Sequence, residues 1–130
     1  MAPRIYLLED DGGLRELLAE VLHEELGAQL ELCATMAELQ AHCQENKPDL
    51  IVADFWGTSH LTLHDAERSE LTALTAIAPV VLVSARNWAL DAQAAELGLV
   101  ALLTKPLDID RFVTVLRTAL AAMPLLGCSS

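Results

Sequence analysis

The 130-residue sequence predicts an α/β domain built on a doubly wound, five-stranded parallel sheet. Short apolar runs alternate five times with amphipathic stretches, which is the rhythm of repeated β-α units. The apolar runs are continuous, as expected of strands that are covered on both faces. Because the crossovers between parallel strands are right-handed, we expect a (βα)5 three-layer sandwich with strand order 2-1-3-4-5.

The first two β-α units are marked by periodicity and by capping residues. An apolar run at residues 5–8 predicts the first strand, and Gly27 ends the helix that follows it. Residues 30–33 predict a short second strand, and the capping-box pair Thr35 and Glu38 opens the second helix. One apolar face of the first helix is expected to comprise Leu14, Leu17, Leu18, Val21 and Leu22.

The third and fourth units follow the same pattern. Residues 50–53 predict a buried strand that ends at Asp54, and residues 80–83 predict the fourth strand, which closes at Ser84. The third helix ends before Pro79, and an Ala-rich stretch at residues 89–97 predicts the fourth helix. The inner face of the third helix is expected to contain Leu71, Leu74 and Ile77.

The last unit consists of a fifth strand at residues 99–103 and a final helix capped by Asp108. We expect one compact domain over residues 1–124 and a C-terminal tail over residues 125–130. Such a domain would work through partners or form part of a longer protein. The inner face of the final helix is predicted to be Phe112, Val113, Leu116, Ala119 and Leu120.

Composition excludes several classes of function. The formal net charge of -11 repels nucleic-acid phosphate, so we expect no direct nucleic-acid partner. A hydrophobic share of 53% is too high for a disordered acidic tail. Three cysteines without paired spacing suit a reducing compartment, and neither a signal peptide nor an 18-residue apolar run is present. The expected location is the cytoplasm, with no membrane partner.

Polar side chains follow four of the predicted strands. Glu9 and Asp10 come after the first strand, Asp54 after the third, Ser84 after the fourth and Lys105 after the fifth. The carboxyl ends of parallel strands lie at one edge of a sheet, where ligands of such folds bind. Three carboxylates packed together would attract a hard cation such as Mg²⁺. A hydroxyl and a lysine beside that cation would bind an anion with several oxygens, which predicts phosphoryl-transfer chemistry.

Four motifs at these strand ends resemble the receiver domains of bacterial response regulators. They are Leu7-Leu8-Glu9-Asp10-Asp11, Lys47-Pro48-Asp49-Leu50-Ile51-Val52-Ala53-Asp54, Pro79-Val80-Val81-Leu82-Val83-Ser84-Ala85-Arg86 and Leu103-Thr104-Lys105-Pro106. Each motif alone is weak, but they occur in the family's order and at family-like spacings. The resemblance extends over essentially the whole chain.

This resemblance implies a role for each residue of the site. Asp54 would accept a phosphoryl group from a phosphohistidine on a histidine kinase or a phosphotransfer protein. Asp10 would bind Mg²⁺ directly, with Glu9 nearby, and the backbone carbonyl of Trp56 would be a further metal ligand. Two more residues, Ser84 and Lys105, would bind the phosphoryl oxygens. The chain would catalyse only its own phosphorylation and dephosphorylation, so it is not expected to be an enzyme otherwise.

The sequence departs from the family pattern at three places. Thr58 and Thr62 stand where a proline and a glycine are usual, and Leu102 replaces the aromatic switch residue of the fifth strand. Arg86 and Trp56 are expected to flank the pocket and slow water attack on an acyl phosphate. The output would be altered protein–protein contact, including possible homodimerisation, on the face of the fourth helix, fifth strand and last helix.

Two alternatives compete with a phosphorylated receiver. A pseudo-receiver would keep the fold and act as a docking or dimerisation module without phosphorylation, and Leu102 favours this hypothesis. Enzymes with similar folds are a further alternative, but this sequence lacks their catalytic motifs. Asp54-Phe55-Trp56 has no second aspartate, and Ser84 does not lie in a nucleophile elbow. The helical spacing of His60 and His64 lacks a convincing third zinc ligand.

Overall fold

A computed structural model describes residues 2–54, 65–84, 98–104 and 108–127. It contains one parallel sheet of five strands in the order β2-β1-β3-β4-β5, so the predicted fold class and strand order are confirmed. The strands are β1 (Arg4–Glu9), β2 (Gln29–Cys33), β3 (Leu50–Asp54), β4 (Val80–Ser84) and β5 (Ala101–Thr104). The described helices are α1 (Gly12–Leu26), α2 (Met36–Glu45), α3 (Asp65–Ile77) and α4 (Ile109–Gly127).

Each face of the sheet carries its own hydrophobic core. Successive strand residues point to opposite faces, so Ile5 and Leu7 belong to one core while Tyr6 and Leu8 belong to the other. The first core also takes the α4 residues Phe112 and Leu116. The second core takes Leu39 of α2 with Leu71 and Leu74 of α3. Burial on both faces explains why the strand sequences are continuously apolar.

The helix ends follow the capping signals in the sequence. The Asp11 carboxylate accepts a hydrogen bond from Leu14 N at 3.1 Å at the start of α1. Thr35 Oγ1 accepts one from Glu38 N at 3.2 Å at the start of α2, while Glu38 Oε2 accepts from Ala34 N at 3.3 Å. Gly27 ends α1 with φ 62°, the left-handed conformation expected of a C-terminal cap.

Two details of the predicted elements are wrong. Leu17 is 49% exposed and does not share the buried face of α1, although Leu18 and Leu22 do. Helix α1 packs against β1, β2 and α4, and the residues that it buries there form a narrower stripe than predicted. The fifth strand begins at Ala101, two residues later than predicted, although Leu99 is buried.

Several other predictions fall at the limits of the described residues. The predicted helix at residues 89–97 lies outside them. Residues 125–127, which were assigned to a tail, continue helix α4 as backbone, and residues 128–130 are not described. The predicted inner faces of α3 and α4 are confirmed by the burial of Leu71, Leu74, Phe112 and Leu116. Within the described ranges, no helix is both long and apolar enough to cross a membrane.

Candidate functional site

Two carboxylates lie side by side at the carboxyl edge of the sheet. Glu9 is the last residue of β1 and Asp54 is the last residue of β3, and the two are paired in the register between these central strands. Glu9 is 1% exposed and is the one buried charged residue among those the structure describes. Asp54 is half-buried. The topology therefore brings these two predicted site residues together, as expected.

Side chains hold the turn that leads from β1 into α1. Glu9 Oε1 accepts a hydrogen bond from Asp11 N at 3.3 Å, and the Glu9 carbonyl oxygen accepts one from Arg15 Nη1 at 2.8 Å. Arg15 N also donates to the Asp11 carbonyl oxygen at 2.8 Å. Asp10 lies between these contacts with an exposed side chain. Its carboxylate is thus presented to solvent from a restrained turn.

Sequence analysis did not identify Arg15 as a site residue. The residue lies in the first turns of α1, six positions after Glu9, where its side chain reaches back to the end of β1. An arginine six residues after a strand end is just as often an ordinary surface residue, so the sequence carried no specific signal for this contact. Only the path of the turn brings the guanidinium group to the Glu9 carbonyl.

The remaining predicted site residues are described only in part or not at all. Ser84 ends β4 and is paired with Thr104, the last residue of β5. Its backbone therefore lies at the same sheet edge as Glu9 and Asp54, while nothing is described of its side chain. Lys105 and Trp56 lie outside the described residues, as do His60, His64, Arg86, Thr58 and Thr62.

The donor set is compatible with Mg²⁺ but is smaller than expected. In the part of the chain that the structure describes, no group of three or more His, Cys, Asp or Glu residues is placed to hold a metal ion. The expected packing of three carboxylates is therefore not found there, because Glu9 is buried and Asp10 is exposed. Mg²⁺ commonly uses one or two protein carboxylates and keeps several waters. Glu9 and Asp54, which are paired at the sheet edge, supply two oxygen ligands of that kind, and the exposed Asp10 follows Glu9 in the chain.

His42 and Cys43 form part of helix α2. His42 Nε2 is 3.4 Å from Glu31 Oε1 on the neighbouring edge strand. Its ring also meets Tyr6 edge-on, with a centroid separation of 6.1 Å. These contacts fasten α2 to the sheet.

This chain is similar in structure to several solved proteins. No protein-family model and no curated protein matches the sequence. The signal receiver domain of a protein named as a Luxo repressor from Vibrio parahaemolyticus is 21% identical with a TM-score of 0.77, over 100% of this chain and 98% of that one. The non-phosphorylated HemR receiver domain from Leptospira biflexa is 27% identical with a TM-score of 0.70, over 91% and 94%.

A third likeness is to NtrX from Brucella abortus in complex with ADP. It is 24% identical with a TM-score of 0.76, and the match covers 96% of this chain but 28% of the NtrX chain. The likeness in all three comparisons spans more than nine-tenths of this chain. The match to the Vibrio parahaemolyticus domain covers the whole chain and so includes the sheet edge that carries Glu9 and Asp54.

Proposed function

We propose that this chain, which has the fold of response-regulator receiver domains, accepts a phosphoryl group on Asp54 in a Mg²⁺-dependent reaction. The observation that carries the proposal is the pairing of Glu9 with Asp54 at the carboxyl edge of a sheet with this strand order. Ligands of doubly wound sheets bind outside the carboxyl ends of the strands, at the point where the strand order reverses, and in this sheet that point lies between β1 and β3. Asp54 itself is half-buried, so part of this residue is accessible to solvent.

The reaction transfers a phosphoryl group between two side chains. An Asp54 carboxylate oxygen attacks the phosphorus of a phosphohistidine on a histidine kinase or phosphotransfer protein, so that a P–O bond forms as the P–N bond breaks. The imidazole leaves and takes up a proton. When Mg²⁺ is bound, it neutralises negative charge on the carboxylate and phosphoryl oxygens. Glu9, Asp10, Asp54 and the carbonyl of Trp56 would hold it.

The protein's own groups would act mainly by position and charge. A loose phosphoryl transition state requires an aligned nucleophile and stabilised oxygens rather than covalent help. Asp54 is the last residue of a strand whose other residues are fully buried, so its backbone is fixed in the sheet. Lys105 and Ser84 would bind the phosphoryl oxygens. On this mechanism the chain turns over only its own acyl phosphate, so we do not class it as an enzyme.

The proposed output is a changed contact with another protein. The surface would include β5 and α4 together with the predicted helix at residues 89–97, and a second copy of the chain could bind there. The partner that donates the phosphoryl group would be a histidine kinase or a phosphotransfer protein. The net charge of -11 disfavours nucleic acid as the partner.

One observation favours the alternative of a phosphorylation-independent docking module. Leu102 is partly buried and packs against the core cluster of Tyr6 and Leu8. An aliphatic side chain already held against this core has no aromatic ring to turn inward on phosphorylation. In this alternative the domain would act as a docking or dimerisation module without being phosphorylated.

The experiment that tests the proposal is intact-mass measurement after incubation with acetyl phosphate and Mg²⁺. The wild type should gain the mass of one phosphoryl group, and Asp54→Asn should not. Asp110→Asn is the matched control, because Asp110 is an exposed aspartate on α4 away from the sheet edge. EDTA should abolish the adduct in the wild type. Absence of an adduct with both acetyl phosphate and a phosphorylated phosphotransfer protein would contradict the proposal and support the docking module.

A further inference from the structure

We propose that Arg15 is a positioning residue of the acidic site: its guanidinium group holds the peptide group that precedes Asp10, so that the Asp10 carboxylate is ready to bind a divalent cation. The inference rests on the proposed function, because it concerns Mg²⁺ binding at the same site. It assigns Arg15 no contact with the cation or the phosphoryl group.

The contacts of the β1–α1 turn support this role. Two peptide groups flank Asp10, and each is bonded to a side chain. The carbonyl of the first accepts from Arg15 Nη1 at 2.8 Å, and the N–H of the second donates to Glu9 Oε1 at 3.3 Å. Arg15 N donates to the Asp11 carbonyl oxygen at 2.8 Å. This last contact is the first backbone hydrogen bond of α1 and does not depend on the side chain at position 15. The Arg15 side chain therefore holds the peptide group before Asp10, and the Glu9 carboxylate holds the one after it.

The chemistry of the arginine side chain suits a clamp of this kind. A guanidinium group carries its donors in a rigid planar fork and stays charged at every physiological pH, whereas a lysine ammonium is a mobile point charge. A hydrogen bond from a charged donor is shorter and stronger than a neutral one. An exposed carboxylate on an unrestrained turn would have to be ordered when the cation binds, and Arg15 removes part of that cost in advance.

Position and charge predict opposite effects of removing Arg15. A positive charge beside the acidic edge repels a divalent cation, so its loss through electrostatics alone would tighten cation binding. Loss of the clamp would instead weaken binding, because Asp10 would no longer be held in place. The direction of the change in affinity therefore distinguishes a positioning role from a charge effect, and a purely structural role would change stability without changing affinity.

The test is Mn²⁺ binding followed by the EPR signal of the free ion, with displacement by Mg²⁺ as a check on the site. We expect Arg15→Met to raise the Kd for Mn²⁺ about tenfold, in the range found for residues that orient metal ligands. Arg15→Lys, which keeps the charge but not the fork, should lie between the wild type and Arg15→Met.

Arg117→Met is the matched control. Arg117 on α4 also bonds a backbone carbonyl, that of Glu25 at 3.0 Å, and its removal changes the net charge by the same amount. Its position away from the acidic edge should leave the Kd for Mn²⁺ within about twofold of the wild type at physiological ionic strength. Thermal unfolding in the absence of metal shows whether each variant is folded.

The outcomes are distinct. Unchanged or tighter Mn²⁺ binding by a folded Arg15→Met variant would overturn the positioning role and leave the proposed function intact. If Arg15→Met does not fold, wild-type affinity in a folded Arg15→Lys variant would overturn it in the same way. Failure of the wild type to bind either ion would contradict the Mg²⁺-dependent function itself, and the inference with it.

Discussion

At the residue scale, Tyr6 fastens helix α2 to the sheet. Its ring is buried in the core, and its hydroxyl group donates to the carbonyl oxygen of Asn46, the cap of α2, at 2.6 Å. Burial raises the pKa of Tyr6, although Arg4 opposes that shift. The hydroxyl is therefore retained as a donor throughout the physiological pH range, and the end of α2 depends on it.

We predict that Tyr6→Phe lowers the free energy of unfolding by about 1 kcal/mol, because the Asn46 carbonyl loses its partner. Urea denaturation measures this change. Thr118→Val serves as the control, since the Thr118 hydroxyl bonds Thr114 O on an exposed surface and its loss should change stability by less than about 0.5 kcal/mol. Equal changes in the free energy of unfolding for the two substitutions would show that burial does not make the Tyr6 hydrogen bond more stabilising than an exposed one.

Cys33 is a second residue whose environment fixes its chemistry. Its thiol is fully buried, and burial, with Glu38 and Glu31 adding to the effect, raises its pKa to about 12. At pH 8 the thiolate fraction is then roughly one in ten thousand. The same shift means that ionisation destabilises the folded state: the stabilising contribution of the neutral thiol is complete below pH 9 and is lost as the pH rises toward 12.

We predict that native Cys33 reacts with iodoacetamide at pH 8 more than about a hundredfold slower than a free thiol. Peptide mapping by mass spectrometry would identify the labelled positions. The control is the same reaction in urea, in which Cys33 should be labelled as fast as the other two cysteines. Rapid native labelling of Cys33 would contradict its burial.

At the element scale, the capping residues determine where the described helices begin and end. Gly27 adopts φ 62°, and no heavy atom lies within 4 Å of the place where a Cβ would stand. The cost of a side chain there is therefore conformational rather than steric. Two backbone hydrogen bonds end α1. The Gly27 N–H donates to the His23 carbonyl oxygen at 3.0 Å, and the Ala28 N–H donates to the Leu22 carbonyl oxygen at 3.5 Å.

We predict that Gly27→Ala lowers the free energy of unfolding by about 1 kcal/mol through the left-handed backbone alone. Gly13→Ala is the matched control, because Gly13 lies inside α1 without a positive φ and a Cβ there meets Asp11 Oδ1 at an ordinary 3.5 Å. That substitution should be neutral or stabilising, since alanine favours a helix. Differential scanning fluorimetry of the two variants would test the contrast.

These local signals explain why the elements could be predicted from the sequence. The caps at Asp11, Thr35 and Gly27 act within a few residues, so a short window of sequence contains them. The exposure of Leu17 depends instead on how α1 packs against β1, β2 and α4, which is a property of the packed molecule. The start of the fifth strand at Ala101 depends in the same way on pairing with Val81 of β4.

At the scale of the whole molecule, strand order determined which parts of the site could be predicted. Glu9 and Asp54 were expected to be neighbours because β1 and β3 are adjacent in a 2-1-3-4-5 sheet, and their register confirms it. The exposure of Asp10 and the contact of Arg15 with the Glu9 carbonyl arise from the path of one turn. Periodicity and motif spacing contain no information about that path.

The charge of the whole chain leads to a last prediction about ions. A net charge of -11 destabilises the compact state, because the negative side chains repel one another. The Tm should therefore rise as NaCl is added up to about 0.15 M and screening increases. Mg²⁺ at equal ionic strength should raise it further if the acidic edge binds the ion. At a free concentration of ten times the Kd, specific binding contributes about 1.4 kcal/mol, or roughly 4–6 °C for a chain of this size.

Asp10→Asn separates the two effects. The variant keeps nearly all of the net charge, so its response to NaCl should match that of the wild type. It removes one proposed ligand, so the additional Mg²⁺ effect should fall to a small fraction of the wild-type value. Scanning fluorimetry in NaCl and MgCl₂ at matched ionic strength measures both. If Asp10→Asn retained the whole Mg²⁺ increment, the ion would be acting on the overall charge of the molecule, and a specific site at the edge of β1 would be contradicted.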